Sequence, residues 1–205
     1  MFRDRDDAGA WLAKALAERG VESAVVLALP RGGVPVGAHI AKALGAPLGI
    51  IAVRKVGHPG DPEYALCAVD EAGTLLCNES EARAVDRMWL AAEVEKERAE
   101  AARRMQAYRG ARPSPELRSK TVIIVDDGAA TGLTLRLALK RARSQEPVRL
   151  IAAVPVLPAA LKRQIEDEGV EVVSLEAPED FRGAVGAYYR EFEQVSDAQV
   201  VELLK

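Results

Sequence analysis

Cysteine, histidine and aromatic residues are scarce in this chain. Its 205 residues include two cysteines, two histidines and 4% aromatic residues. Two cysteines do not suggest a disulfide scaffold, and we expect Cys67 and Cys77 to be ordinary thiols that could face each other across a hairpin. No apolar run is long enough to span a bilayer, and the charged stretch Met1–Asp7 shows no secretory signal. These absences favour a soluble, cytoplasmic protein.

An excess of charge of either sign is also missing. The chain has 28 basic and 31 acidic residues, a net charge of −3. It therefore has no global basic field of the kind that marks many nucleic-acid-binding proteins, and any anion must be held by local groups. Hydrophobic content of 49% allows a sizeable core. The length suits one α/β domain with an appendage.

The most informative stretch runs from Thr121 to Thr134, T-V-I-I-V-D-D-G-A-A-T-G-L-T. The apolar run Val122–Val125 is typical of a strand buried on both faces. Small and hydroxylated residues follow, and lead into a helical apolar pattern. A loop at a helix N-terminus offers unpaired backbone amides and a partial positive charge, and glycines let the backbone approach a ligand closely. We therefore expect this loop to hold a phosphate.

Two acids stand where the strand ends, Asp126 and Asp127. They would accept hydrogen bonds from the 2′ and 3′ hydroxyls of a ribose, and they could hold a divalent metal. A sugar phosphate with a vicinal diol satisfies both the loop and the acids. The plain alternative is an ordinary strand-to-helix turn in which Thr131 caps the helix. That alternative explains Thr131 but not the adjacent acids.

This arrangement of apolar strand, paired acids, short loop and T-G-x-T resembles the motif that binds 5-phosphoribosyl 1-diphosphate (PRPP) in type I phosphoribosyltransferases. The resemblance extends from Val21 to about Leu175, and the aromatic C-terminal segment is similar to that of a group of small bacterial phosphoribosyltransferase-like proteins. It implies an α/β fold, with an open, mainly parallel twisted sheet and helices on both faces. The alternation of buried apolar runs with helical patterns predicts the same sheet.

Two basic groups follow other apolar runs. Ala24–Leu29 leads into the glycine-rich loop of Arg31, and Pro47–Val53 leads into Arg54 and Lys55. Since the carboxyl ends of parallel strands meet at one edge of a sheet, we expect both groups to lie beside the acids. The plain alternatives are a common turn for the first group and solvated surface charge for the second.

The resemblance also implies a role for each group. Arg31, Gly32, Gly33 and Lys55 would contact the diphosphate, the acids would hold the ribose diol, and Ala129–Thr134 would hold the 5-phosphate. Arg31, Lys55, Asp126 and Asp127 are the candidate catalytic residues, and the two acids are the candidate ligands of Mg²⁺. The full set of candidate binding residues is Arg31, Gly32, Gly33, Arg54, Lys55, Asp126, Asp127, Gly128, Ala129, Ala130, Thr131, Gly132, Leu133 and Thr134.

The implied reaction transfers the phosphoribosyl group of PRPP to a nitrogenous base or another nucleophile, with release of diphosphate. Neither the acceptor nor the oligomeric state can be derived from the sequence, although a homodimer is compatible with it. One alternative is a non-catalytic regulatory protein of the same fold that binds PRPP or a nucleotide. Another is a hydrolase of sugar phosphates, suggested by the acid pair alone.

The remaining chain is predicted as one domain, residues 1–205, with two additions. Residues 56–115 would form a loop over Val56–Pro62, a hairpin, one long helix over Glu79–Arg109 and a linker through Pro113. Val85, Met88, Ala92, Ala99 and Ala102 would form an apolar seam along that helix. Residues 176–205 would form a C-terminal hood, whose aromatic residues could plug the end of the sheet or stack on a base. Asp6 or Asp7 would cap an N-terminal helix that ends at Glu18.

Overall fold

The computed structural model of the protein describes residues 1–110 and 114–205, with only the backbone of Glu63. The helices are α1 Arg5–Ala17, α2 Gly33–Leu44, α3 Glu79–Ala82, α4 Arg87–Arg109, α5 Leu133–Arg143, α6 Ala159–Asp167 and α7 Asp197–Leu203, with one 3₁₀ helix at Val185–Tyr188. The strands are β1 Ala24–Ala28, β2 Leu48–Ile50, β3 Val53–His58, β4 Asp61–Asp70, β5 Leu75–Cys77, β6 Thr121–Val125, β7 Arg149–Val156 and β8 Glu171–Glu176. The predicted linker residue Pro113 lies outside the described residues.

A five-stranded sheet in the order β2-β1-β6-β7-β8 forms the centre, with every neighbouring pair parallel. Helices α1 and α2 cover one face, and α5 and α6 cover the other. The side chains buried on the first face include Leu12, Leu16, Ile40 and Ile123. Those on the second include Leu135, Leu161, Ile165 and Ile124. Burying each such side chain contributes about 2 kcal/mol relative to leaving it exposed. The predicted open parallel sheet with helices on both faces is confirmed.

A second sheet, β3-β4-β5, is antiparallel and separate from the first. The expectation that the apolar run Pro47–Val53 forms one parallel strand is therefore wrong. The Ile51 amide donates a hydrogen bond to the Ala28 carbonyl, and after this point the chain leaves the parallel sheet. Arg54 lies inside β3 rather than at the end of a parallel strand. The predicted loop over Val56–Pro62 is also wrong, since most of it is β3 and β4. At Gly57 the register shifts, and a Cβ there would lie 2.4 Å from the Pro62 carbonyl oxygen.

The two cysteines form a disulfide bond, which corrects the prediction of ordinary thiols. The predicted hairpin is confirmed, and its register sets Cys67 of β4 directly opposite Cys77 of β5. The bond joins an edge strand of the second sheet to its central strand. Cys67 is fully buried, so its sulfur also packs in the apolar cluster beneath α4.

The predicted single helix over residues 79–109 is broken into α3 and α4. Asp86 stands at the break, where its carboxylate accepts a hydrogen bond from the Trp89 amide and caps α4. The predicted apolar seam is wrong for most of its residues, since Met88 is 83% exposed and the three alanines are exposed too. Among the described residues of the predicted seam, Val85 alone packs on the apolar cluster beneath α4. The face of α4 that packs on the protein includes Leu90 and Val94, then the buried Ala101 and Tyr108. Glu97 and Arg104 lie on the same face, so charged residues interrupt the apolar periodicity by which the sequence would have indicated it.

The N-terminal and C-terminal segments pair with each other. The Phe2 amide donates to the Tyr188 carbonyl at 2.8 Å, and the Arg190 amide donates to the Phe2 carbonyl at 2.9 Å. Phe2, Tyr188 and Tyr189 are buried together at the end of the sheet. The plugging role predicted for the aromatic residues is therefore confirmed for these tyrosines. Helix α1 is capped by Asp4, and not by the predicted Asp6 or Asp7.

Within the described residues, no helix combines the length and the apolar character needed to cross a bilayer.

Candidate active site

A cavity of about 460 Å³ lies at the carboxyl edge of the parallel sheet. Its floor is the loop that follows β6, and one wall comes from the second sheet. The opposite wall is the hood segment Gly183–Gly186 together with Phe192. From the candidate residues the structure brings to this cavity Arg54, Lys55, Asp126, Gly128, Ala129, Ala130, Thr131, Gly132 and Thr134.

The floor of the cavity presents backbone amides. Within the described chain, the amides of Ala130, Thr131 and Gly132 donate no hydrogen bond, and the first-turn amides of α5 have no intrahelical acceptor. Gly132 is the N-cap residue of α5, with φ 75° and no capping side chain. The alternative in which Thr131 caps the helix is therefore wrong. This row of donors at a helix N-terminus is suited to an anion.

Asp126 places its carboxylate at the cavity and accepts the Asp127 amide at 2.9 Å. Burial, and next the negative charge of Asp127, raise the pKa of Asp126 well above its ordinary value. The Asp127 carboxylate does not line the cavity in the described structure. It accepts a hydrogen bond from Arg5 Nε at 2.8 Å instead.

Arg5 was missed by the sequence reasoning, because nothing in the charged N-terminus distinguishes it from Arg3. Both members of the Arg5–Asp127 pair are largely buried, with side chains 13% and 15% exposed. Arg5 Nη1 also donates to the Glu193 carbonyl at 2.6 Å. Its guanidinium lies 3.8 Å from the centroid of the Phe192 ring, which is a cation–π contact.

The loop of Arg31 lies directly against the acids. The Leu29 amide donates to the Val125 carbonyl at 2.8 Å, so the loops after β1 and β6 begin side by side. A Cβ on Gly32 would lie 1.9 Å from Asp127 Oδ2, and one on Gly33 would lie 2.6 Å from the Val125 carbonyl oxygen. Glycine is required at Gly33, where the Cβ would meet backbone atoms, whereas a Cβ on Gly32 would displace the Asp127 carboxylate. The Pro30–Arg31 peptide bond is cis.

Each basic group has an acidic partner on an element outside the parallel sheet. Arg31 Nη1 lies 3.4 Å from Asp197 of α7, which also accepts the Tyr108 hydroxyl at 2.6 Å. Arg54 Nε donates to Glu97 of α4 at 2.8 Å, with side chains 26% and 15% exposed. Helix α4 therefore helps to build the basic wall, a role that its sequence did not indicate. The lining of the cavity, within the described residues, does not include the candidate residues Arg31, Gly32, Gly33, Asp127 and Leu133.

A second groove of about 420 Å³ lies between α1 and α7. Acidic side chains dominate its lining, among them Asp4, Glu191, Glu193 and Glu202. Such a surface repels phosphate. A phosphorylated sugar is therefore suited to the first cavity.

Known proteins similar to this chain identify its family. The family model for the phosphoribosyl transferase domain matches residues 5–192. Two Mycobacterium tuberculosis proteins, from strains CDC 1551 and H37Rv, are provisionally named phosphoribosyl transferases and are 40% identical to all of this chain. The chain spans 46% of their length, so it corresponds to about half of each of these two curated relatives. The crystal structure of a Thermus thermophilus protein is similar with a TM-score of 0.80 and 43% identity, covering 100% of this chain and 97% of the other. The chain therefore belongs to the phosphoribosyl transferase domain family, as its motif predicts.

Proposed function

We propose that this domain transfers the 5-phosphoribosyl group of PRPP to a nitrogenous base or another nucleophile and releases diphosphate. The observation that supports this most directly is the cavity, in which unpaired amides, the Asp126 carboxylate and two cations meet. A single small ligand that matches all three needs a phosphate, a hydroxyl donor and a second anionic group. PRPP has these three features.

Each part of PRPP has a matching surface. The 5-phosphate would accept hydrogen bonds from the amides of residues 130–134, since the Ala129 amide already donates to the Val156 carbonyl, and from the threonine hydroxyls. The ribose diol would donate to Asp126. Arg54 and Lys55 would face the diphosphate, while Arg31 would reach it only after turning from Asp197.

In the reaction, the bond from C1 of the ribose to the diphosphate oxygen breaks and its electron pair leaves with diphosphate. A nitrogen lone pair of the acceptor forms the new bond to C1, and the acceptor's proton passes to solvent or to the product diphosphate. C1 gains oxocarbenium character, as in glycoside cleavage. The protein contributes positioning and charge stabilisation, and the hood excludes water from C1.

Magnesium fits this site as a companion of the substrate. Within the described residues, no group of three or more His, Cys, Asp or Glu side chains could hold a metal ion. Mg²⁺ often binds through one or two carboxylates together with substrate phosphates. Asp126, which lines the cavity, would supply such a carboxylate, and Asp127 would have to turn toward the cavity to join it. When bound, Mg²⁺ would neutralise charge on the leaving diphosphate.

Diphosphate release tests the proposal. The protein is incubated with PRPP, Mg²⁺ and a panel of bases and amines, beside Asp126→Asn and the exposed control Asp167→Asn. We expect release that requires an acceptor, with kcat/KM reduced about 100-fold in Asp126→Asn and unchanged in the control. PRPP binding without turnover would instead support the non-catalytic regulatory protein. Phosphate release without an acceptor would support the hydrolase.

A further inference from the structure

Arg5 joins three parts of the molecule that surround the cavity. Arg5 is the first residue of α1. Its side chain pairs with Asp127 after β6 and contacts both Phe192 and the Glu193 carbonyl in the C-terminal segment. Phe192 in turn lines the cavity. The acids and the hood wall therefore meet through one guanidinium.

We propose that Arg5 is a positioning residue, which fixes the Phe192 wall of the cavity relative to the Asp126–Asp127 pair. The inference rests on the proposed function for its effect on turnover. Its structural part, the ordering of the C-terminal segment by Arg5, can be tested without any ligand.

The chemistry of these contacts requires arginine. A guanidinium has donors in a planar fork and a flat face, so Nε can bind a carboxylate while Nη1 binds a carbonyl and the face lies on a ring. A lysine at this position has one compact charge and could satisfy Asp127 but not all three partners. The low exposure of both charged side chains makes this a stronger interaction than a surface ion pair.

The tether between the chain termini does not depend on Arg5. Backbone hydrogen bonds of Phe2 to Tyr188 and Arg190, and the bond from the N-terminal amine to Glu176, hold the segments together independently. Removing the Arg5 side chain should therefore leave the fold intact and release Phe192 and Glu193 locally. Arg5→Met also leaves the largely buried Asp127 carboxylate without its cation, so a loss of stability should accompany this local release.

A matched set of variants separates these roles. Arg5→Met removes charge and fork, Arg5→Lys keeps the charge, and Phe192→Leu removes the ring. The control is Arg3→Met, because the Arg3 side chain is 63% exposed and forms a surface ion pair with Asp4. Hydrogen exchange of residues 187–195 is measured in the ligand-free protein, and kcat and KM for PRPP are measured with Mg²⁺ and the best acceptor.

We expect Arg5→Met to raise exchange of residues 187–195 and to lower kcat/KM about 100-fold, since misplacement of about 1 Å costs that much. Arg5→Lys should restore KM for PRPP but not kcat, and Phe192→Leu should lower kcat alone. Arg3→Met should match the unmodified protein in every measurement. If Arg5→Met does not fold, Arg5→Lys and Phe192→Leu decide the question.

Exchange and kcat/KM within twofold of the unmodified protein in the Arg5 variants would overturn the inference. An unmodified protein that releases no diphosphate with any acceptor would overturn the proposed function instead. In that case the exchange measurements still decide whether Arg5 orders the C-terminal segment.

Discussion

The parallel and antiparallel sheets of this protein both border the cavity, and they are stabilised differently. Strands β1, β2 and β6 of the parallel sheet contain no charged residue, and β6 is buried along its whole length. The second sheet contains charged residues in its strands and is held by partners from distant segments. Arg54 pairs with Glu97, and Asp70 pairs with Arg141. The parallel sheet supplies the acid and the amides of the site, and the second sheet supplies its cations.

This difference explains which parts of the fold the sequence could predict. A continuous β-branched run such as Val122–Val125 specifies a buried strand by itself, so the acids that follow it could be placed at the correct edge. The mixed sequence of β3, V-R-K-V-G-H, neither alternates nor forms an apolar run, so it does not specify its neighbouring strand. Gly57 and Pro62 resemble loop residues, although they occupy a register shift. The partners Arg5, Glu97 and Asp197 are distant in sequence, and no local pattern could have identified them.

Loss of Arg141 should produce the largest effect, because Arg141 joins helix α5 to the second sheet. Its Nη1 donates at 2.8 Å to Asp70, which is fully buried at the end of β4, while Arg141 itself belongs to α5. Arg141→Met leaves a buried carboxylate without its cation, which costs about 3–5 kcal/mol. Urea unfolding should show this loss. Arg143→Met, on the same helix and exposed, should change stability by less than about 0.5 kcal/mol. Equal effects of the two variants would mean that Asp70 does not depend on Arg141.

The disulfide is the next test, since it acts within the second sheet alone. The bond closes a loop with a sequence separation of 10, for which chain entropy gives about 3 kcal/mol at most. The double variant Cys67→Ala, Cys77→Ala should lower the unfolding free energy by about that amount. Mass spectrometry under non-reducing conditions should find one linked peptide in the unmodified protein. A reducing agent should then lower the stability of the unmodified protein and leave the double variant unchanged. Free thiols in the purified, unreduced protein would contradict the pairing.

Glu97 tests whether α4 contributes to the site. Its carboxylate holds Arg54 at 2.8 Å beside the cavity. Glu97→Gln keeps the shape but removes the charge, so Arg54 should lose its fixed position. We expect the KM for PRPP to rise about 10-fold, as for loss of a partner that orients a binding group, with kcat nearly unchanged. Glu95→Gln is the control, since Glu95 is on the solvent side of the same helix and pairs with Arg98. A fall in kcat without a change in KM would argue against this role.

The smallest expected effect is that of acid pH, which should weaken the ion pairs of α4 and leave the apolar core of the parallel sheet unchanged. Hydrogen bonding from Arg103, followed by that from Arg104, lowers the pKa of Glu100 from its ordinary 4.5 to about 2. A carboxylate whose pKa falls on folding stabilises the protein above its unfolded pKa, and that stabilisation is lost as pH falls from 4.5 toward about 2. Because Glu100 is partly exposed, its contribution should stay below about 1 kcal/mol. The stability difference between the unmodified protein and Glu100→Gln should therefore shrink between about pH 6 and about pH 3. A stability difference that is constant over this range would show that the charge of Glu100 does not stabilise the protein.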